Sequence, residues 1–283
     1  MDGSKILITG SHGQLGMALQ KKYPGARATD SANLDITDMK ALQQYDWDGI
    51  DIIVNAAAYT NVDGAETSEG RLAAWDVNAK AVANLARIGA DKKLLIIHVS
   101  TDYVFDGTKD PHTEDEPLSP LNTYGVTKAA GDIVLSDYER HYIFRTSWVI
   151  GQGKNFVRTM LELGRQGVNP SVVSDQIGRP TFTTELVRAI DHILAKKPEF
   201  GVYNVSNSGQ PVSWAGMAAE AFKLAGLKNR VTGITTAEYY KDKPAAAQRP
   251  LKSTLDLAKI KATSFKPRDW KLDLADYINK ELT

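Results

Sequence analysis

The chain has 283 residues, 42% of them hydrophobic, with 34 basic residues balanced by 34 acidic ones and no cysteine. The charge balance argues against a nucleic-acid partner, whose affinity would rest on clustered Lys and Arg, and the missing thiols exclude disulfide scaffolds, zinc–thiolate sites and cysteine nucleophiles. No apolar run approaches the roughly 18 residues of a membrane span, and the opening residues lack a basic stretch followed by a signal-length apolar one, so a cytoplasmic protein without a membrane partner is expected.

In chain order, residues 5–9 read as a strand and 14–22 as a helix that ends before Pro24. Residues 27–29 form a brief second strand, followed by a helix through 41–45, a third strand at 50–54 and a long helix over 71–90. Residues 94–99, 120–136 and 142–146 continue as strand, helix and strand. Near-continuous Ile/Leu/Val runs alternating with helices predict an α/β fold, a doubly wound parallel sheet of Rossmann type covered on both faces. Beyond Trp148 a helix at 156–166 and a short strand at 171–173 are expected to extend the sheet. Helices at 184–195, 214–225 and 272–282 then lie among Pro- and Gly-containing loops. The expected division is a dinucleotide-binding part at 1–173 and a smaller substrate-binding region at 174–283, with helix 184–195 packing back on the sheet.

The turn Gly10-Ser11-His12-Gly13-Gln14-Leu15-Gly16 joins the first strand to the first helix. Glycines at this spacing allow a tight turn, backbone approach to a pyrophosphate and close helix–strand packing, and the helix N-terminus favours the anion. His12 sits in the turn, where it can touch the cofactor. Asp30, at the end of the second strand, suits the adenosine ribose hydroxyls and repels a 2′-phosphate, which tilts the choice between NADPH and NADH toward NADH. Arg27 is close enough to offset that preference, and a solvated turn is the plain alternative for Asp30.

Tyr124-Gly125-Val126-Thr127-Lys128 places a phenol and an ammonium four residues apart on one helix face. The same spacing recurs at Tyr239 and Lys243, but that pair follows no comparable strand, and Pro244 disfavours a helix there. Tyr124 lies behind Ser119-Pro120, a plausible N-cap and first helical residue, and the preceding strand ends in Ser100-Thr101 at the ligand edge. Hydride arriving at a carbonyl carbon leaves charge on oxygen that must be protonated. Tyrosine, with an ordinary pKa of about 10, needs a neighbouring cation to lower it. Lys128 supplies that cation and can bind the nicotinamide ribose, while Thr101 can donate to the oxyanion. A strand-end hydroxyl bonded to backbone is the alternative for Thr101.

Together these segments resemble the extended short-chain dehydrogenase/reductases and, more narrowly, the dTDP-4-dehydrorhamnose reductases. The resemblance runs through Leu34-Asp35-Ile36-Thr37, Asn55-Ala56-Ala57-Ala58-Tyr59-Thr60, Ser100-Thr101-Asp102-Tyr103-Val104-Phe105, Arg145-Thr146-Ser147-Trp148, Asp175-Gln176-Ile177-Gly178-Arg179-Pro180-Thr181 and Arg249-Pro250. It implies reduction of the C4 ketone of dTDP-4-dehydro-L-rhamnose in nucleotide-sugar and polysaccharide biosynthesis, with Tyr124 protonating O4. It further implies that Asp35 and Ile36 line the adenine side, that Ala57, Ala58 and Tyr59 line the cofactor backbone, and that Thr101, Asp102 and Trp148 contact the sugar nucleotide. Arg249 suits a diphosphate, since guanidinium forks match phosphate oxygens; a solvated loop arginine is the other reading.

Related dehydratases carry Asp-Glu after the catalytic Thr, whereas Asp102 is followed by Tyr103, which favours simple reduction. Some related reductases share a metal between subunits through an acid on the first helix. Here that helix reads Met17-Ala18-Leu19-Gln20, so neither metal nor dimer is carried over. His98, His112, His141 and His192 show no metal-ligand spacing and read as structural or solvated. The alternatives are a reductase of another dTDP-4-keto-6-deoxy sugar, a non-catalytic dinucleotide-binding regulatory subunit, and an epimerase that retains its cofactor.

Overall fold

Ile6, Leu7 and Ile8 of strand β1 (Ile6–Thr9) are fully buried, and their side chains alternate between two separate apolar clusters. Ile6 and Ile8 enter one with Leu15, Leu19 and Ile190, while Leu7 enters the other with Leu42, Leu85 and Ile88. A strand with apolar side chains on both faces is stable only between two helical layers, which is why the run contains no polar alternation. The computed structural model describes residues 2–282.

The remaining elements follow the same logic. After β1 come α1 (Gln14–Lys22), β2 (Arg27–Thr29), α2 (Met39–Gln44) and β3 (Ile52–Asn55). Then α3 (Ser68–Trp75), α4 (Ala81–Lys92), β4 (Leu95–Thr101), α5 (Thr123–Ser136) and β5 (His141–Thr146) follow. The central sheet has six parallel strands in the order Gly201–Asn204, β5, β4, β3, β1, β2. Strand order reverses beside β1, so the crevice for a ligand opens at its C-terminal end, over the glycine turn. The sheet is thus doubly wound, as the sequence predicts.

Three local expectations are corrected. The strand at Ser171–Val173 does not extend the central sheet; it pairs with Thr232–Ile234 in a separate two-stranded ladder. The sixth strand is instead Gly201–Asn204, reached through α7 (Thr183–Lys196), after the chain has passed α6 (Phe156–Arg165). The long helix over 71–90 is broken by a π-helical turn, Asp76–Lys80. There Asn78 accepts from Tyr59 N at 2.9 Å and donates to Tyr59 O and Thr127 Oγ1, tying the helix to the loop after β3. Finally, α5 starts at Thr123 with Asn122 as its cap, Oδ1 accepting from Gly125 N at 2.8 Å. Ser119 is engaged elsewhere, its hydroxyl accepting from Asp106 N and its N–H donating to Val104 O.

Residues beyond β5 also build a further apolar cluster, in which Val157 and Leu161 of α6 meet Met217 and Ala221 of α8 (Trp214–Leu224) and Trp270, Leu274 and Ile278. Among the described residues no helix is long and apolar enough to cross a membrane.

Candidate active site

The site begins where β4 leaves the sheet. Thr101 pairs with Thr146 of β5 as the last residue of the strand, and its Oγ1 accepts from Tyr103 N at 3.2 Å while donating to Asp102 Oδ1 at 3.0 Å. Capping by Thr101 tightens Asp102–Val104 into a single 3₁₀ turn. The start of α5 presses on that turn: a Cβ at Gly125 would lie 2.3 Å from Tyr103 O, so only glycine lets the two come together. Glu66 anchors the same end by accepting from Thr123 N and Oγ1 at 2.8 and 2.9 Å.

This approach sets the Tyr124 ring edge-on to Tyr103, with centroids 5.8 Å apart, and brings its hydroxyl to the Thr101 side chain. Burial raises the Tyr124 phenol above the ordinary tyrosine value, and the neighbouring Thr101 hydroxyl only partly opposes it. Lys128 was expected to lower it. In the structure Lys128 lines the same cleft as Tyr124, and its Nζ is held at the sheet, donating to Val99 O at 2.7 Å and lying 3.2 Å from His98 Nε2. Burial lowers this amine to about 8, with Asp132 opposing. Asp102 is 3% exposed, and burial pushes its carboxyl up to about 6; Thr101 donates to its Oδ1, while Oδ2 has no hydrogen-bond partner.

Thr101, Asp102, Tyr124, Lys128 and Trp148 line one cleft of about 660 Å³ together with His12, Gly13, Gln14, Leu15 and Ala58. Trp148 has a left-handed backbone (φ 46°), and its indole stacks on Trp214 at 3.8 Å, with Phe156 packed against the latter. Trp214 and Phe156 also line the cleft, and sequence reasoning missed both. Trp214 had no signal beyond being an aromatic residue at a helix start.

A neighbouring cleft of about 320 Å³ is lined by Gly10, His12, Gly13, Asp30, Asp35, Ile36, Ala57 and Ala58. Gly10 has φ +71°, and a Cβ at Gly16 would fall 2.2 Å from Gly10 O, so the turn packs directly on the helix. No side chain caps α1 at its Gly13 N-cap. The first turn is therefore available to an anion, as a dinucleotide pyrophosphate requires. Asp30 Oδ1 accepts from Ala32 N and Asn33 N, while Oδ2 lies 2.8 Å from His12 Nδ1. Arg27 points away, donating to the carbonyls of Asp46 and Asp48, and does not offset Asp30. Asp35 is turned to its own loop, accepting from Thr37 N and Oγ1.

Three candidates stand apart from the cleft walls. Gly16 serves the helix–strand packing. The Tyr59 hydroxyl faces Gly64 and Gly70. Arg249 is ion-paired with Asp63 and donates to Ala247 O, its guanidinium 5.5 Å from the Tyr240 ring. Asn55 and His98, on which Lys128 rests, were not singled out as site residues. A polar residue within each of two Ile/Val strands was the available signal.

A family model described as the RmlD substrate binding domain matches residues 4–283. The chain is 36% identical to the spore coat polysaccharide biosynthesis protein SpsK of Bacillus subtilis, over 98% of each protein. It is 39% identical to a dTDP-4-dehydrorhamnose reductase of Aggregatibacter actinomycetemcomitans, over 94% of this chain and 96% of that one. A crystal structure of a dTDP-4-dehydrorhamnose reductase from Bacillus anthracis, in complex with NADP, superposes with a TM-score of 0.90 at 33% identity, covering 99% of this chain and 100% of that one. With this sheet, this turn and matches of this extent, the chain belongs to the RmlD family of dTDP-4-dehydrorhamnose reductases.

Proposed function

We propose that this protein reduces the C4 ketone of dTDP-4-dehydro-L-rhamnose to dTDP-L-rhamnose with a nicotinamide dinucleotide, acting in the cytoplasm on a small-molecule substrate. The observation that carries this reading is the Thr101–Tyr124 pair, with Lys128 on the same cleft, at the sheet edge beside an uncapped glycine turn. When bound, the dinucleotide supplies the hydride for the carbonyl carbon. Gly10, His12, Gly13, Gln14 and Leu15 would hold its pyrophosphate, with Gly16 keeping the turn seated. Asp30 would bind the adenosine ribose, Asp35 and Ile36 the adenine, Ala57, Ala58 and Tyr59 the loop side, and Lys128 the nicotinamide ribose.

Tyr124, held protonated near neutrality by burial, gives its proton to O4 as charge develops there. Thr101 steadies the same oxygen by hydrogen bonding. Asp102 and Trp148 contact the sugar nucleotide, and Arg249 serves its diphosphate if it leaves Asp63. Residues 1–173 carry the cofactor side in this reading, and 174–283 the substrate side. A carboxylate at Asp30 repels a 2′-phosphate, so NADH is the favoured cofactor, although the Bacillus anthracis relative was crystallised with NADP.

The test is to follow NADH and NADPH oxidation with the 4-keto sugar nucleotide and to identify the product by NMR. Formation of dTDP-L-rhamnose is expected. A different 6-deoxy epimer would move the assignment to another 4-keto sugar, and an absence of turnover would point to a regulatory dinucleotide-binding subunit.

A further inference from the structure

His98 lies fully buried in β4, and both of its ring nitrogens face polar atoms. Asn55, ending β3, sets Nδ2 2.9 Å from His98 Nδ1. Lys128 sets Nζ 3.2 Å from Nε2. The orientation of the Asn55 amide follows from its other contacts: Oδ1 accepts from Thr9 Oγ1 at 2.7 Å and from Ala57 N at 3.2 Å. Turning the amide over would point its NH₂ at the Ala57 N–H. Nδ2 therefore donates to His98 Nδ1, and the single proton of a neutral imidazole resides on Nε2, facing Lys128.

An Nε2–H can donate to Nζ only when Nζ has a lone pair. An ammonium there keeps its bond to Val99 O but meets the imidazole proton to proton. Besides His98, the ionisable group that acts on this amine is Asp132 on α5, which is bound by Arg145 of β5 at 3.0 Å, and Tyr124 lines the same cleft. Asn55 of β3 and Thr9 of β1 bring no charge.

We propose that His98 is a positioning residue for the reduction: oriented by Asn55, it holds an Nε2–H against Lys128, so that a proton on Lys128 costs the buried Thr9–Asn55–His98–Lys128 chain one hydrogen bond. The proposal rests on the reading of Lys128 given above. As Tyr124 passes its phenolic proton to the ketone oxygen, Lys128 releases a proton toward the phenolate, and the lone pair freed on Nζ accepts the His98 Nε2–H. No proton leaves His98. Burial acts in the same direction, drawing the Lys128 amine down and keeping His98 far below the ordinary histidine value, hence neutral.

The test combines two measurements on the enzyme with NADH bound or turning over. Nitrogen-15 NMR of histidine-labelled protein should show His98 as a neutral Nε2–H tautomer with a bare Nδ1 from about pH 6 to 9. In His98→Gln the side-chain carbonyl can turn to an ammonium at Lys128. The alkaline limb of the kcat–pH profile should then move up by about one unit, the size of one hydrogen bond to a charged group. An Nδ1–H tautomer, an imidazolium near neutrality, or an unmoved limb overturns the proposal. Lys128→Met separates the two levels. Lost turnover with an unmoved His98→Gln limb sinks only the role of His98, whereas retained turnover removes Lys128, and His98 with it, from the reaction. The nitrogen spectrum needs no substitution, so it decides the matter even if His98→Gln does not fold.

Discussion

The two clefts that meet at the glycine turn are built on opposite principles. At the end proposed for the adenosine, Asp30 and Asp35 are carboxylates whose hydrogen bonds close their own turns, and the side chain ion-paired with Asp30 is the exposed His12. At the chemical end, Asp102, Lys128 and His98 are buried with few partners, and burial displaces each from its ordinary pKa. Solvent screens the first set and not the second. Substitutions at the adenosine end should therefore adjust selectivity by small factors, and those at the chemical end should change proton chemistry by large ones.

Tyr124→Phe is the severest test of that contrast. Turnover should fall by about 10²–10⁴, the loss of a general acid, while dinucleotide affinity measured by fluorescence titration stays within a few-fold. Unchanged turnover would detach the buried end from the reaction.

Asp102 offers the next largest effect, in stability. Its folded pKa of about 6 lies above the ordinary 3.8, so the native state holds the proton more tightly than the unfolded chain. Stability is then lost as pH rises from about 4 through 6, by about 3 kcal/mol at most. Asp102→Asn removes the buried charge and should raise Tm at pH 8 but hardly at pH 4. Equal shifts at both would show that this carboxyl is not strained by burial.

Trp214→Ala should raise the KM for the sugar nucleotide about tenfold, through loss of the stack that holds Trp148, with a smaller change in kcat. Steady-state kinetics with unchanged KM would leave Trp214 a packing residue only. Asp30→Ala should give the smallest change, shifting the NADPH-to-NADH ratio of kcat/KM a few-fold toward NADPH. A ratio that stays fixed would remove Asp30 from cofactor choice.

What the sequence made legible were elements whose stability is local or patterned. β1, β3, β4 and β5 announce themselves because apolar side chains on both faces leave no other fold for such runs, whereas β2, Arg27-Ala28-Thr29, carries no such run; Gly10-Ser11-His12-Gly13 follows directly from β1. Gly201–Asn204 was missed: four residues with a glycine and an asparagine carry no pattern, and they are held by pairing with β5. Asn122 displaced Ser119 as a cap because Ser119 was already bonded to a segment thirteen residues earlier. Within the site, Thr101, Tyr124 and Lys128 were found by type and spacing, but the direction of Lys128 depended on His98, thirty residues away. Arg249 is tied to Asp63 across 186 residues, a contact no window along the chain contains.

The sixth strand also bears on how the chain is made. Ile6, Ile8, Tyr142 and Phe144 on one face of the sheet are covered in part by Leu186, Ile190 and Val205, which lie some forty residues or more beyond β5. During synthesis that face is covered only in part, by Leu15 and Leu19 of α1, until about residue 205 has left the ribosome, so a shortened product lacking this stretch would present a greasy surface to chaperones.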